Sequence, residues 1–167
     1  MNNTPLAWAA ANGHEGVVRI LLERDEIEPD KSDGASWLSE TPLWEAASNG
    51  HGGVVRILLG RDDVDPSKPN WYGQTPLFGA AREGHEGIVK ILLGRDDVNP
   101  GKPDNYGQTP LLLAAWNGMK LLLGRRDVDP NKPDDFGHTP FSCAAINGYA
   151  GVIALLRPLT PTTHNTT

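Results

Sequence analysis

The sequence predicts an all-α solenoid, built by stacking similar units that each contain a helix, a turn, a second helix and a hairpin. Two observations carry this prediction: one phrase recurs along the chain, and each copy introduces the same order of structural signals. The phrase is Thr-Pro followed by Leu or Phe, and its copies begin 37, 34, 34 and 30 residues apart. A period of about 34 residues is typical of solenoids, whose units bury their apolar faces against neighbouring units. The copies begin at Thr4, Thr41, Thr75, Thr109 and Thr139.

The first helix of each unit is predicted to begin at the proline of this phrase. Proline has no N–H group to satisfy in the first turn, and the preceding threonine is a favourable N-cap. A pair of alanines lets a neighbouring helix approach closely, and a glycine is expected to end the helix after about two turns. The pairs are Ala9-Ala10, Ala46-Ala47, Ala80-Ala81, Ala114-Ala115 and Ala144-Ala145, and the glycines are Gly13, Gly50, Gly84, Gly118 and Gly148.

A second apolar segment follows each glycine and predicts a second helix that is nearly buried. In the first unit its apolar residues cover a wide helical face. A segment rich in Asp, Pro and Gly then leads to the next Thr-Pro, as a turn or hairpin requires. The apolar residues of the first unit are Val17, Val18, Ile20, Leu21 and Leu22.

These units resemble ankyrin repeats, which share a period of about 33 residues and the Thr-Pro-Leu opening. The resemblance covers residues 3–157 and implies an ankyrin-repeat domain at residues 1–157, with repeats that begin near residues 4, 41, 75, 109 and 139. One departure concerns the residue after Thr-Pro-Leu, which is usually His in the family. Here it is Ala7, Trp44, Phe78, Leu112 or Ser142, so any bond made by that His is absent.

Composition narrows the classes of function. The 167 residues carry a formal net charge of -6 and an isoelectric point near 5.3, which argues against a nucleic-acid or anionic-membrane partner because either needs a basic face. Neither a basic leader nor a membrane-spanning apolar segment is visible, which predicts an intracellular protein, cytoplasmic or nuclear. Cys143 cannot form an internal disulfide and is expected to be a buried thiol rather than a nucleophile.

The two ends of the domain differ. The first unit has the sequence of an interior repeat, although terminal repeats usually carry polar caps, so either something precedes it or its edge is exposed. The last unit diverges as a cap would, with Tyr149 in the place of a histidine. Residues 158–167 form a polar segment containing Thr and Pro, which is predicted to be disordered.

No catalytic residue, metal site or cofactor is predicted. His14, His51 and His85 follow the terminating glycines, but equivalent atoms of neighbouring repeats lie about 10 Å apart, too far for one metal ion. These histidines are instead expected to bond the threonine that opens a helix. The aspartates between units lack the glycine and closing glutamate of a calcium loop and are expected to form turns. No combination of a nucleophile with a base is seen that the repeat pattern does not already explain. The sequence alone therefore does not indicate an enzyme.

Function is expected at positions that vary while the repeat frame stays constant, which the resemblance places on the concave face. Trp37, Trp71 and Trp116 are favoured because aromatic residues are enriched in binding hot spots. Packing between hairpins explains Tyr72, Tyr106 and Phe136 as well as binding does, and Trp8 and Trp44 are expected to pack. The predicted partner-binding residues are Trp37, Trp71, Tyr72, Gln74, Arg82, Glu83, Asn105, Tyr106, Trp116, Asn117, Asp135 and Phe136.

The fourth unit is four residues shorter than the third. Met119 stands alone where the third unit has residues 85–89, so about one turn of the second helix and the turn histidine are missing. Trp116 lies beside this deletion and permits two interpretations. Either its indole fills the lost volume, or Trp116 and Met119 wall a local pocket.

The leading functional prediction is a protein-interaction module that binds a protein partner through an aromatic, acidic concave surface. Because the chain is acidic, the partner is expected to carry a basic segment. The first alternative is small-molecule binding, or unusual catalysis, in a groove near Trp116 in the shortened unit. The second is that the chain is a fragment of a larger multidomain scaffold or regulatory protein, as the uncapped first unit suggests.

Overall fold

The computed structural model of the chain describes residues 4–32, 39–123 and 127–157. Within these ranges it has nine helices and no strand, which confirms the predicted all-α solenoid. The helices that begin at Thr-Pro form an inner layer, and the others form an outer layer. The inner helices are α1 (Pro5–Ala11), α3 (Pro42–Ser48), α5 (Pro76–Arg82), α7 (Pro110–Trp116) and α8 (Pro140–Ile146); the outer helices are α2 (Glu15–Leu22), α4 (Gly52–Leu59), α6 (Glu86–Leu93) and α9 (Ala150–Leu156).

The inner helices begin and end where the sequence predicts. In all five, the side chain of the capping threonine accepts the N–H of the residue three positions on, at 3.1–3.2 Å. Each inner helix is followed by the expected glycine, whose φ lies between 71° and 85°. Because a side chain rarely adopts that conformation, glycine is the natural residue at which the chain turns towards the outer layer.

The inner helices pack in series, α1 on α3, α3 on α5, α5 on α7 and α7 on α8. The alanine pairs of the first four units and Ala144 have no exposed surface, which explains how the helices approach so closely. Ala145, in the last unit, is exposed.

The outer layer is less complete than predicted. Helix α2 packs on α4 and α4 on α6, but residues 119–123 of the fourth unit form only a turn, in which Leu123 N–H donates to Lys120 O at 3.1 Å. The predicted second helix of this unit, shortened by one turn, is therefore absent from the described residues. The prediction of nearly buried second helices is also wrong for α2, where Val17 and Ile20 are 46% and 60% exposed.

Aromatic rings join successive repeats on the side of the turns. The ring of His51 lies against Gly13, and its Nε2 donates to the carbonyl of Ala11 at 3.0 Å. The ring of His85 lies against Gly50, and its Nε2 donates to the carbonyl of Ser48, also at 3.0 Å. The prediction that these histidines bond a threonine is thus wrong. They bond the last carbonyl of the preceding inner helix, which has no partner within its own helix.

The ends of the stack differ at these junctions. Tyr149 places its ring against Gly118, as the histidines do against their glycines. The ring of His14 instead lies 5.4 Å from that of Trp8. Trp8 is 56% exposed at the edge of α1.

The fourth unit joins the third without such a ring. Met119 N–H donates to Ala114 O at 2.8 Å, which is the backbone bond that His85 makes with Ala80 in the third unit. Met119 thus takes the histidine's place in the chain, but its side chain is buried in the core. Nothing lies within 4 Å of the position that a Cβ on Gly84 would take.

Asn117 replaces the missing histidine bond. Its Nδ2 donates to the carbonyl of Arg82 at 2.7 Å and to that of Ala81 at 3.0 Å, so the end of α5 is capped from the next repeat. Trp116 is 45% exposed and does not fill the lost volume. Asparagine and methionine, not the indole, compensate for the deletion.

The hairpins are held by three equivalent polar residues, Asn70, Asp104 and Asp134. In each, Oδ1 accepts two backbone N–H groups, from the residues two and four positions on, at 2.8–3.0 Å. These turns place the hairpin tips beside the N-termini of the inner helices. Residues 158–167, the predicted tail, lie outside the described residues, and no described helix is long and apolar enough to cross a membrane.

Candidate interaction surface

Two neighbouring grooves lie on the face formed by the inner helices and the hairpins. We call them the hairpin groove, with a volume of about 300 Å³, and the Trp116 groove, with a volume of about 330 Å³. Arg82 lines both. The hairpin groove is lined by Glu40, Asn70, Tyr72, Gln74, Arg82 and Tyr106. The Trp116 groove is lined by Arg82, Gln108, Leu112, Leu113, Trp116, Asn117, Asp134, His138 and Cys143.

Arg82 is held at the boundary between the grooves. It is the last residue of α5, and its Nε donates to Glu83 Oε1 at 2.8 Å. Its Nη1 donates to Gln74 Oε1 at 3.4 Å, and its Cζ lies 5.8 Å from the centre of the Trp44 ring. Trp44 is buried, as expected, and its Nε1 has no hydrogen-bond partner among the described residues. The arginine charge is therefore offset by a carboxylate and fixed over an aromatic ring.

Tyr72 and Tyr106 stack on each other across successive hairpins. Their ring centres are 6.4 Å apart with an interplanar angle of 28°, and the residues are 40% and 45% exposed. Phe136, the third residue in this series, is 70% exposed and lies 6.2 Å from the His138 ring. The two tyrosines therefore pack between successive hairpins and still expose part of their surface.

Two of the predicted binding residues also build the frame. Gln74 is buried, and its Nε2 donates to Asp104 Oδ2 at 3.3 Å. Asn105 donates its backbone N–H to Tyr72 O at 2.8 Å and its side-chain Nδ2 to Trp71 O at 2.9 Å. These bonds connect one hairpin to the next, so they fix the spacing of the surface.

The structure brings together some predicted residues and separates others. The hairpin groove gathers Tyr72, Gln74, Arg82 and Tyr106, and the Trp116 groove gathers Arg82, Trp116 and Asn117. Trp37 lies outside the described residues. The remaining predicted residues line neither groove; these are Trp71, Glu83, Asn105, Asp135 and Phe136.

Sequence reasoning missed the apolar floor of the Trp116 groove. Leu112 and Leu113 are 3% and 8% exposed, and Cys143 faces them from α8. A signal was present, because Leu112 stands where the family usually has His. The expectation that Met119 walls the pocket is wrong, since Met119 is buried in the core and is not among the residues that line this groove.

The charged groups at the Trp116 groove are already engaged. Burial raises the pKa of Asp134, but bonds from the His138 backbone and ring, the Phe136 N–H and Gln108 outweigh it, so its pKa lies below its usual value. The His138 ring Nδ1 lies 3.0 Å from Asp134 Oδ2. Both carboxylate oxygens thus have partners, and Asp134, the carboxylate among the described lining residues, is not an unengaged base.

Cys143 is suited to packing rather than to chemistry. Burial, and then the charge of Asp134, raise the pKa of its thiol above the usual value. A thiol is a nucleophile only as the thiolate, so a raised pKa disfavours a nucleophilic role for Cys143. No group of three potential metal ligands is found within the described ranges.

The acidic segments between repeats form turns, as predicted. Arg61 and Arg95 each bind a following aspartate through two nitrogens, Arg61 to Asp63 at 2.7 Å and Arg95 to Asp97 at 2.7–2.8 Å. Each arginine also donates to a carbonyl at the end of the preceding outer helix, at 2.8 and 3.0 Å. The aspartates therefore orient arginines that join one repeat to the next.

Comparison with known families agrees with this geometry. The family model for ankyrin repeats in three copies matches residues 28–104, and the model for a single ankyrin repeat matches residues 1–34 and 106–135. These matches span well over half of the sequence, and the chain belongs to the ankyrin-repeat family. No curated protein matches it. The fifth unit lies outside both matches, yet it has the same capped inner helix and terminating glycine.

Ankyrin repeats are generally protein-protein interaction modules, and membership of this family assigns the domain to that class.

Proposed function

We propose that the domain binds an extended segment of a partner protein along the hairpin groove and the Trp116 groove. One observation carries the proposal: Tyr72, Tyr106 and Trp116 keep 40–45% of their surface exposed along two adjoining grooves that share Arg82. Large, partly exposed aromatic side chains next to a positioned arginine are the residues that most often dominate binding energy.

The frame beneath this surface is rigid, which favours binding. Asn105 N–H donates to Tyr72 O at 2.8 Å, and Asp135 N–H donates to Tyr106 O at 3.0 Å, so each hairpin is bonded to the next. Gln74 adds a side-chain bond to Asp104. A surface that is already ordered loses little conformational entropy when a partner binds.

The charge of the domain favours a basic partner. The formal net charge is -6, Glu40 lines the hairpin groove, and Glu83 offsets the charge of Arg82. Complementary charge mainly raises the association rate, so binding should slow as salt screens the attraction. An association rate that is independent of ionic strength would remove this part of the proposal.

The test is a random peptide library panned against the intact domain, followed by affinity measurements on the selected peptides. We expect Trp116→Ala to weaken binding by about tenfold or more, as loss of a hot-spot residue does. Trp8→Ala is the matched control, because Trp8 is 56% exposed in α1 and lines neither groove. Selected peptides that bind both variants as well as the unaltered domain would contradict the proposed surface.

A small molecule in the Trp116 groove is the second candidate, and the open apolar groove itself favours it. Leu112, Leu113 and Cys143 form an apolar floor beside the polar groups of Asn117 and His138. Such a mixture is common in ligand pockets, but the engaged Asp134 and the raised pKa of Cys143 argue against catalysis. A fragment library screened by thermal shift tests it: fragments that stabilise the unaltered domain but not Trp116→Ala would support this candidate.

A further inference from the structure

We propose that the two grooves together select a partner segment with a basic side chain and an aliphatic or aromatic side chain three residues apart. The basic side chain lies in the hairpin groove, and the apolar one lies in the Trp116 groove. This inference rests on the proposed function and specifies the chemistry of the segment.

The lining of the Trp116 groove favours an apolar side chain. Its floor is Leu112 and Leu113, which are almost fully buried, and one wall is the indole of Trp116. The Asp134 side chain has no exposed surface, and both of its oxygens already accept hydrogen bonds. A basic partner side chain placed here would lose water without gaining a counter-charge, because the Asp134 oxygens are engaged, whereas an apolar side chain gains burial.

The hairpin groove favours a cation. The stacked rings of Tyr72 and Tyr106 line it together with the carboxylate of Glu40. Among the described lining residues the cation is Arg82, which is bound to Glu83 at 2.8 Å, so its repulsion is offset. Partly exposed aromatic faces attract arginine and lysine through cation-π interactions, and the net charge of -6 adds a longer-range attraction for a cation.

The repeat geometry sets the spacing. The hairpin groove is built around the hairpin of the third unit, and the Trp116 groove is built around α7 in the fourth, one repeat further along. Packed helices lie about 8–10 Å apart, and an extended chain advances about 3.3 Å per residue. A segment laid across Arg82 therefore covers one repeat in about three residues.

The experiment uses fluorescein-labelled peptides of glycine and serine that carry one Arg and one Leu at defined separations, titrated into the intact domain. We expect the tightest binding when Arg and Leu are three positions apart. Replacing Arg with Ser should weaken binding by about fivefold, and replacing Leu with Ser by about tenfold or more. Peptides with Arg and Leu adjacent, and peptides with Glu for Arg, are the controls.

Variants of the domain test which groove binds the Arg of the peptide and which groove binds its Leu. Tyr72→Ala should abolish the advantage of Arg over Ser while keeping that of Leu, and Trp116→Ala should do the reverse. Trp8→Ala should change neither preference. Affinity that is independent of the spacing, equal binding of the Glu peptide, or no binding of any peptide in the series would overturn the proposal. The broader proposed function is judged separately, by whether library-selected peptides depend on Trp116.

Discussion

Asn117 shows how one side chain changes its role with its surroundings. Asn12, Asn49 and Asn147 occupy the same position in other units, and each donates from Nδ2 to the carbonyl four residues earlier in its own unit, at 2.8–3.0 Å. Asn117 instead donates to Arg82 O and Ala81 O in the preceding repeat. The carbonyls at the end of α5 are accessible to it because the fourth unit supplies no histidine ring there.

We predict that Asn117→Ala lowers the free energy of unfolding by about 1 kcal/mol, since it removes the Asn117 bond to the Arg82 carbonyl, whereas the Ala81 carbonyl keeps the Gly84 N–H at 3.3 Å. Asn49→Ala is the matched control and should cost less, because it removes only local bonds at an exposed side chain. Urea denaturation of both variants measures the difference. Equal losses would show that the bond between repeats adds nothing beyond the local one.

At the scale of elements, the described residues of the fourth unit form no outer helix of the kind that its neighbours have. Helices α2, α4 and α6 have eight residues each, but residues 119–123 form a turn. Its apolar residues still contribute to the core, since Met119 and Leu122 are buried. The fourth unit thus still buries two apolar side chains, although its residues 119–123 form a turn instead of a helix.

We predict that inserting His-Glu-Gly-Ile after Gly118 restores an outer helix. The new histidine would take the place of Met119 in the chain, against Gly84, and Met119 would move to the position that Val89 has in the third unit. Burial of one more apolar side chain should raise the free energy of unfolding by about 1.5–3 kcal/mol, with a gain in helical circular dichroism.

The control for this insertion is Gly-Ser-Gly-Ser at the same place, which has the same length and little helical tendency. It should not stabilise the domain. If His-Glu-Gly-Ile destabilises it as well, the turn at residues 119–123 is a packed feature of the fold, and Asn117 and Met119 compensate fully for the missing helix.

Local signals made the inner layer predictable. Thr-Pro, an alanine pair and a glycine act within a few residues, so the bounds of α7 could be read from Thr109, Pro110 and Gly118. The sequence shows that the second helix of the fourth unit is shortened and that Leu112 replaces the usual His. The change from a shortened helix to a turn, the new partner of Asn117 and the groove itself could not be read in this way. Each depends on what a neighbouring repeat supplies, which a single unit's sequence does not contain.

At the scale of the whole molecule, the apolar core is less continuous near the shortened unit, although Cys143 of α8 belongs to the main core. Ala115, Ala144, Val152 and Leu156 form a small apolar cluster that is separate from the main core. Helix α9 packs on α8, and no outer helix is found between α6 and α9 in the described residues. Repeats are stabilised mainly by their neighbours, so a weak junction should let one end of the stack open by itself.

We therefore predict that amides of residues 119–157 exchange with deuterium well before those of residues 41–93. The reason is that opening residues 119–157 disrupts the small apolar cluster and takes Met119, Leu122, Val128 and Cys143 from the main core, while the core residues of units one to three stay in place. Hydrogen exchange followed by region measures this directly. Uniform protection along the array would show that the junction is as strong as the others.

The central claim, that the aromatic grooves are the binding surface, can be tested on the five tryptophans themselves. Each indole N–H can give its own signal in a proton-nitrogen correlation spectrum, and site-directed substitution assigns the signals. Trp116 lines a groove, whereas Trp8 is exposed at the edge of α1. In one sample, the Trp116 signal therefore reports on binding, and the Trp8 signal serves as the internal control.

During titration with a library-selected peptide, the Trp116 indole signal should shift progressively to saturation, while the Trp8 signal should stay in place. The shift should follow the same affinity as the fluorescence titration, because both report one binding event. A Trp8 signal that moves while Trp116 stays unchanged would place the partner on another face of the stack and contradict the account.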